Sequence, residues 1–221
     1  MEELTFLSAD AAVAIREECG SPVFVYDQAT LEASADAVLA FPNAYGLTAR
    51  YAMKALPTAA VIQTLTGRGL HIDASSGYEA ERALRARVEP GHIQVTAQEI
   101  PENLKELVER GVLYNACSVH QLRIYGALFP GSEISVRINP GLGSGHNNRT
   151  NVGGPSSSFG IWHEHLDQVE AACAEFNLRV TGMHAHVGSG GDPEVWKACA
   201  KMSLEIVARL PDVARISLGG G

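Results

Sequence analysis

The chain is poor in the features that mark several large classes of protein. Its 4 cysteines, Cys19, Cys117, Cys173 and Cys199, stand far apart, with no C-x-x-C pair of the kind that holds zinc or works in redox exchange. They read as reduced thiols of a cytoplasmic protein. Positive charge is scarce: 17 Lys and Arg face 25 Asp and Glu, for a net charge of -8. Nucleic acid and anionic membranes both need a basic face, so neither is an expected partner. No apolar run is long enough to cross a bilayer. Met1-Glu2-Glu3-Leu4-Thr5 lacks the basic start and apolar stretch of a signal peptide. Low-complexity tracts and interdomain linkers are missing as well. With 46% hydrophobic residues in 221 positions, the chain has the material for one α/β domain of barrel size, at the short end for a closed eight-stranded barrel.

What is present is a rhythm of short apolar strands and amphipathic helices. A first helix spans about Ala11 to Glu18, Pro22 to Tyr26 is a strand candidate, and Gln28 to Leu39 has the apolar spacing of a helix. Strand Ala44 to Met53 then leads to helix Pro57 to Thr66, and strand Leu70 to Ala74 to helix Tyr78 to Ala86. His92 to Thr96 precedes Pro101 to Arg110, with Pro57 and Pro101 each suited to the first helical position. Val112 to Ala116 precedes His120 to Leu128, and Glu133 to Asn139 precedes a long polar loop from Pro140 to Ser158 containing His146 and Arg149. Helix His163 to Glu175, strand Leu178 to Val187, helix Pro193 to Arg209 and strand Ala214 to Leu218 complete the run, which closes on Gly219-Gly220-Gly221. This alternation predicts a parallel sheet with helices outside, an α/β fold of the (β/α)8 TIM-type barrel kind with about seven of its eight strands.

Lys54 ends the first barrel strand, where such barrels keep their chemistry. Flanked by Tyr51 and Met53, its amine is expected to be partly desolvated, which favours the neutral nucleophile needed for a Schiff base. The alternative is a lysine that merely snorkels from a strand end. His184 and His186 are two apart on a strand and share a face. An inward histidine pair invites a metal, but no carboxylate or third histidine stands at fixed spacing nearby, so no metal site is expected. His184 reads as a satisfied core residue. Gly188-Ser189-Gly190-Gly191 and Gly219-Gly220-Gly221 both follow strands, and bare amides there can hold a phosphate. Phosphate sites after the last strands are common in barrels. A nucleophilic lysine beside two such turns describes a seat for a phosphate-bearing aldehyde, pyridoxal 5'-phosphate.

Six motifs now carry a resemblance. Tyr51-Ala52-Met53-Lys54-Ala55, Asp73-Ala74-Ser75-Ser76-Gly77-Tyr78-Glu79, Arg137-Ile138-Asn139-Pro140, Ser158-Phe159-Gly160-Ile161, His186-Val187-Gly188-Ser189 and Gly219-Gly220-Gly221 occur in this order. Their order and content resemble the fold-type III pyridoxal-phosphate decarboxylases, a family with an alanine-racemase-like barrel. The resemblance implies that Lys54 carries the cofactor through a Schiff base and that His186 stacks on its ring. It implies that Ser189 and Gly219, Gly220 and Gly221 bind the phosphate, with Asp73 and Arg137 beside the ring. The segment around Phe159 is most similar to the diaminopimelate branch, which implies decarboxylation of meso-diaminopimelate to L-lysine. Three departures leave the substrate open: Leu56 replaces a frequent Asn, Ser158 replaces a lysine, and His-Val-Gly-Ser-Gly is closer to the ornithine branch. Ornithine, arginine, lysine or carboxynorspermidine are the alternative substrates, and a non-catalytic cofactor-binding relative is a further possibility. A metal-dependent hydrolase using His184, His186 and a carbamylated Lys54 is the remote one. The family further implies a carboxy-terminal β-domain, joined by residues 1–27 and lying beyond the barrel of residues 28–221. An acid for the pyridine nitrogen and a homodimer partner's cysteine would come from that later part, and the small-molecule amino-acid substrate would bind between.

Overall fold

Alternation along each strand decides how this chain folds, because every second residue is apolar and must be covered. The computed structural model describes residues 6–143, 154, 157–188 and 190–220. Two helices come first. Helix α1 (Ala9–Cys19) is capped by Ser8, whose hydroxyl accepts from the Ala11 N–H at 3.2 Å. Helix α2 (Gln28–Leu39) is capped by Asp27, whose carboxylate accepts from the Thr30 N–H at 2.8 Å. The barrel wall follows as β1 (Arg50–Ala52), α3 (Ala59–Gly67), β2 (His71–Ala74), α4 (Gly77–Arg85), β3 (Ile93–Val95), α5 (Leu104–Glu109), β4 (Leu113–Ala116) and α6 (Val119–Leu128). It continues through β5 (Glu133–Asn139), β6 (Ile161–Trp162), α7 (Leu166–Phe176), β7 (Arg179–His184), α8 (Pro193–Val207) and β8 (Arg215–Ser217).

All the strand pairs are parallel, in the order β1-β2-β3-β4-β5-β7-β8. These seven strands are the wall of an α/β barrel. The two-residue β6 pairs with the upper end of β5, Ile138 with Ile161 and Asn139 with Trp162, while β7 pairs with β5 from Glu133 to Arg137. Among the described residues β8 and β1 are not paired, so the sheet is open between them.

One side of strands β2 to β5 packs on the helices. Ile72, Ala74, Ile93, Val95, Ala116, Val136 and Ile138 are buried to 1% exposure or less and join a single apolar cluster with Leu107, Leu122, Val169 and Cys199 of the outer helices. A smaller cluster of Ala35, Val61, Leu65 and Leu70 fastens α2 and α3 to the edge strand β1. Burial of this kind is the main stabilising contribution, at about 25 cal/mol per Å² removed from water.

Several elements differ from what the residue pattern predicts. The first barrel strand runs only from Arg50 to Ala52 rather than from Ala44. Its length is limited by its one neighbour, because β2 has just four residues to pair with, and Gly46, at φ +95, turns the chain beforehand. Neither proline opens a helix. Thr58, the residue after Pro57, stands at the N-cap position of α3 with no side-chain capping bond, and the Pro101 carbonyl accepts from the Leu104 N–H at 3.0 Å in a turn before α5. Pro22 to Tyr26 forms no strand, with Phe24 87% exposed. It has the composition of a strand and no strand beside it among the described residues. The helix after Trp162 begins as a 3₁₀ turn (His163–His165) before α7. All four cysteines are free, and Cys19 is exposed rather than buried. No helix among the described residues is long and apolar enough to cross a membrane.

Candidate active site

The second face of the strands lines the inside of the barrel, and it is polar. Register places Arg50 of β1 level with His71 of β2, Asp73 level with Gln94 of β3, and Arg137 of β5 level with His184 of β7. Side-chain bonds run between these positions. Arg50 Nε donates to Gln94 Oε1 at 3.2 Å, and the Thr96 hydroxyl donates to Asp73 Oδ1 at 2.8 Å. Asn115 Nδ2 lies 3.3 Å from Thr96 Oγ1 and 3.1 Å from His184 Nδ1, reaching past β5 to do so.

Lys54 stands two residues beyond β1, in a turn at the mouth of the barrel, and it is exposed. The expected desolvation by Tyr51 and Met53 does not occur. Met53 is fully buried and Tyr51 packs on the same apolar cluster, while Lys54, in the turn that follows β1, is exposed. Lys54 is nevertheless close enough to Asp73 and His186 for its charge to act on both.

Among the described residues Asp73 is the carboxylate these cations act on. Burial raises its carboxyl above the usual 3.8, against the Thr96 hydrogen bond and the charges of Arg50, Lys54 and Arg137. Arg137 is 8% exposed and its guanidinium lies 4.9 Å over the Phe159 ring. The Phe159 segment lies flush on β5. A Cβ on Gly160, at φ +84, would come 3.0 Å from the Asn139 nitrogen and 3.1 Å from the Arg137 oxygen, so only glycine fits there. Burial pulls Arg137 below the ordinary arginine value, countered by the nearby Cys117 and Asp73. The Cys117 thiol is itself pushed up to about 11 by burial.

The two histidines are both poor bases here. Burial, then Arg137 and His186, bring His184 down to about 3. Burial, then Arg137 and Lys54, bring His186 down to about 4. His184 is satisfied by Asn115, as a core histidine would be, but it belongs to the polar lining rather than to the apolar core. His186 Nδ1 is buried with no partner. Its ring lies against the final glycine turn: a Cβ on Gly219, at φ +78, would sit 2.5 Å from that nitrogen. Gly220 and Gly191 have no atom within 4 Å of where a Cβ would be, so backbone borders open space at both strand ends. The turn between β7 and α8 is anchored from behind, where the Trp196 indole N–H donates to the Gly190 carbonyl at 2.9 Å.

The structure thus brings Lys54, Asp73, Arg137, His186 and Gly219 to one end of the barrel, with Gly220 next in the turn. Ser189 and Gly221 lie outside the described residues, as do His146 and Arg149 of the long loop. Asn115, Thr96 and Arg50 were not anticipated. The signal that could have found them is a polar residue at every second position of otherwise apolar strands. Among the described residues no group of three or more His, Cys, Asp or Glu could hold a metal ion. The donor set does fit a pyridoxal phosphate: an accessible lysine, an imidazole with a bare nitrogen, and two turns whose backbone can approach a phosphate.

Fold and cleft together define an α/β-barrel protein with a cationic, glycine-rimmed mouth. Residues 32–221 match the pyridoxal-binding domain of the pyridoxal-dependent decarboxylases, and the chain belongs to that family. It is 36% identical to the diaminopimelate decarboxylase of Streptomyces coelicolor over 221 residues, covering 97% of this chain and 49% of that protein. It is 32% identical to the Escherichia coli K12 enzyme of the same name, covering 98% of this chain and 52% of that one. A crystal structure of a diaminopimelate decarboxylase superposes with a TM-score of 0.87 at 32% identity, over 97% of this chain and 51% of the other. The Paramecium bursaria Chlorella virus arginine decarboxylase shares the fold, with a TM-score of 0.79 at 20% identity over 97% of this chain and 59% of that one. The chain spans about half the length of the curated relatives it matches.

Proposed function

We propose that this chain is the cofactor-binding barrel of a pyridoxal-phosphate-dependent decarboxylase that converts meso-diaminopimelate to L-lysine and carbon dioxide. The observation that carries this reading is Lys54, an accessible lysine at a barrel mouth otherwise lined by Asp73, Arg137 and His186, in a chain 32–36% identical to diaminopimelate decarboxylases. When bound, the cofactor supplies the electron sink that lets the carboxylate leave as carbon dioxide. Lys54 provides the amine that holds it. His186, proton-free at neutral pH because its value lies near 4, offers a flat uncharged ring for the pyridine to rest on. The turns at Gly188–Gly191 and Gly219–Gly221 offer backbone N–H groups to the phosphate, with Ser189 adding a hydroxyl. Arg137, fixed by Phe159, and Asp73 set the charge around the ring. In this reading residues 1–27 join a second domain, residues 28–221 form the barrel, and the whole enzyme works as a cytoplasmic homodimer.

The test is an assay of the whole enzyme, barrel and second domain together, supplied with pyridoxal phosphate on meso-diaminopimelate, L-ornithine, L-arginine and L-lysine, following carbon dioxide and the amine product. Lysine formation from meso-diaminopimelate at a rate at least tenfold above the others is expected. Preferential release from ornithine or arginine contradicts the substrate assignment.

A further inference from the structure

Asn115 has no part in the mechanism above, yet it is fully buried at the centre of the polar lining. An amide nitrogen carries two hydrogens and accepts none, so its contacts with Thr96 Oγ1 at 3.3 Å and His184 Nδ1 at 3.1 Å both run outward. Thr96, having received one hydrogen, turns its own toward Asp73 Oδ1 at 2.8 Å. His184 Nδ1 must then be bare, with the imidazole proton on Nε2. Turning the amide over would put its oxygen against His184, require a proton on Nδ1, and draw the Thr96 hydroxyl away from Asp73. This orientation leaves Asn115 Oδ1 buried and without a partner, an unfavourable state for an acceptor that the two donated bonds offset.

We propose that Asn115 is a positioning residue: its amide, with Thr96, fastens Asp73 and His184 to opposite ends of one hydrogen-bonded unit that has no proton path between them. The inference rests on the reading of the cleft as a pyridoxal-phosphate site. Asp73 always meets a donor, and so remains the oriented anion among Arg50, Lys54 and Arg137. His184 always meets a donor at Nδ1, and so stays neutral beside Arg137 and His186. A proton taken up by Asp73 cannot reach His184, because the amide nitrogen between them cannot accept one.

The test is nitrogen-15 NMR of labelled histidines in the protein without cofactor, followed by titration with pyridoxal phosphate. The wild type should show His184 as the Nε2–H tautomer. Asn115→Asp should switch it to Nδ1–H and move its titration midpoint from about 3 toward 6.5. Thr96→Val should leave the tautomer alone and raise the Asp73 midpoint, and Thr96→Ser should restore it. Both Asn115→Asp and Thr96→Val should weaken cofactor binding at least threefold. A wild-type Nδ1–H tautomer, or variants that bind the cofactor as tightly as wild type, overturns the proposal. If Asn115→Asp does not fold, the wild-type tautomer and the Thr96 pair decide. A wild type that takes up no cofactor overturns the underlying reading instead, and the tautomer still decides the hydrogen-bonded unit.

Discussion

At the scale of single residues, the two depressed histidines give the chain an acid weakness with a definite sign. In the unfolded chain His184 and His186 protonate near 6.5, whereas in the fold they do so at about 3 and about 4. Between about 6.5 and about 4 the unfolded state therefore binds more protons, and stability falls as the pH is lowered through that window. The limiting slope is about 1.4 kcal/mol per pH unit for each group. Asp73 works the other way. Its carboxyl is raised above 3.8, so its stabilising contribution is complete below that value and fades as the pH rises. Urea midpoints measured at pH 7, 5.5 and 4.5 should decline steadily, and His184→Gln should flatten the decline. A profile that rises on acidification contradicts these values. As neighbours, Asp73, Arg137 and His186 were legible from the motifs and the resemblance they carry. Asn115 and Thr96 were not, because a single polar residue in a short strand gains meaning only when register shows what stands opposite it.

At the scale of elements, the loops that follow β3 and β4 are joined by one side chain. Gln121 of α6 is 2% exposed. Its Nε2 donates to the carbonyls of Ala97 at 3.0 Å and Gln98 at 2.6 Å, and its Oε1 accepts from the Cys117 N–H at 2.6 Å. Gln121→Leu keeps the volume and strands buried backbone groups, which should cost about 2–4 kcal/mol. That loss should appear as a lower urea midpoint with an unchanged slope, and a variant as stable as the parent refutes the staple. Helix α2 and strand β5 have the bounds read from the residue pattern, Gln28–Leu39 and Glu133–Asn139. In both, local pattern and tertiary surroundings agree. Pro22 to Tyr26 and β6 failed for opposite reasons. The first has a strand's composition and no partner, while the second has a partner, β5, and only two residues to announce it.

At the scale of the whole molecule, charge is sorted by place. The chain is acidic overall, at -8, yet Lys54, Arg50 and Arg137 gather about the barrel interior and its mouth, where Asp73 is the described carboxylate they act on. Such a field attracts anions to the mouth of the barrel. The barrel itself was legible from strand–helix alternation, but the polarity of its interior was not, since strand faces are assigned only once their neighbours are known. The central claim is that one lysine at the mouth carries the cofactor. Of the 4 lysines in the chain, Lys105 and Lys197 pair with Glu109 and Glu194 on helix surfaces, and Lys201 is exposed on α8. The most direct test is to incubate the protein with pyridoxal phosphate, reduce with borohydride, digest, and locate the label by mass spectrometry. One phosphopyridoxyl group on the Lys54 peptide is predicted, with no label in a Lys54→Ala variant of unchanged circular dichroism. Label on Lys105, Lys197 or Lys201 with Lys54 unmodified would contradict the account.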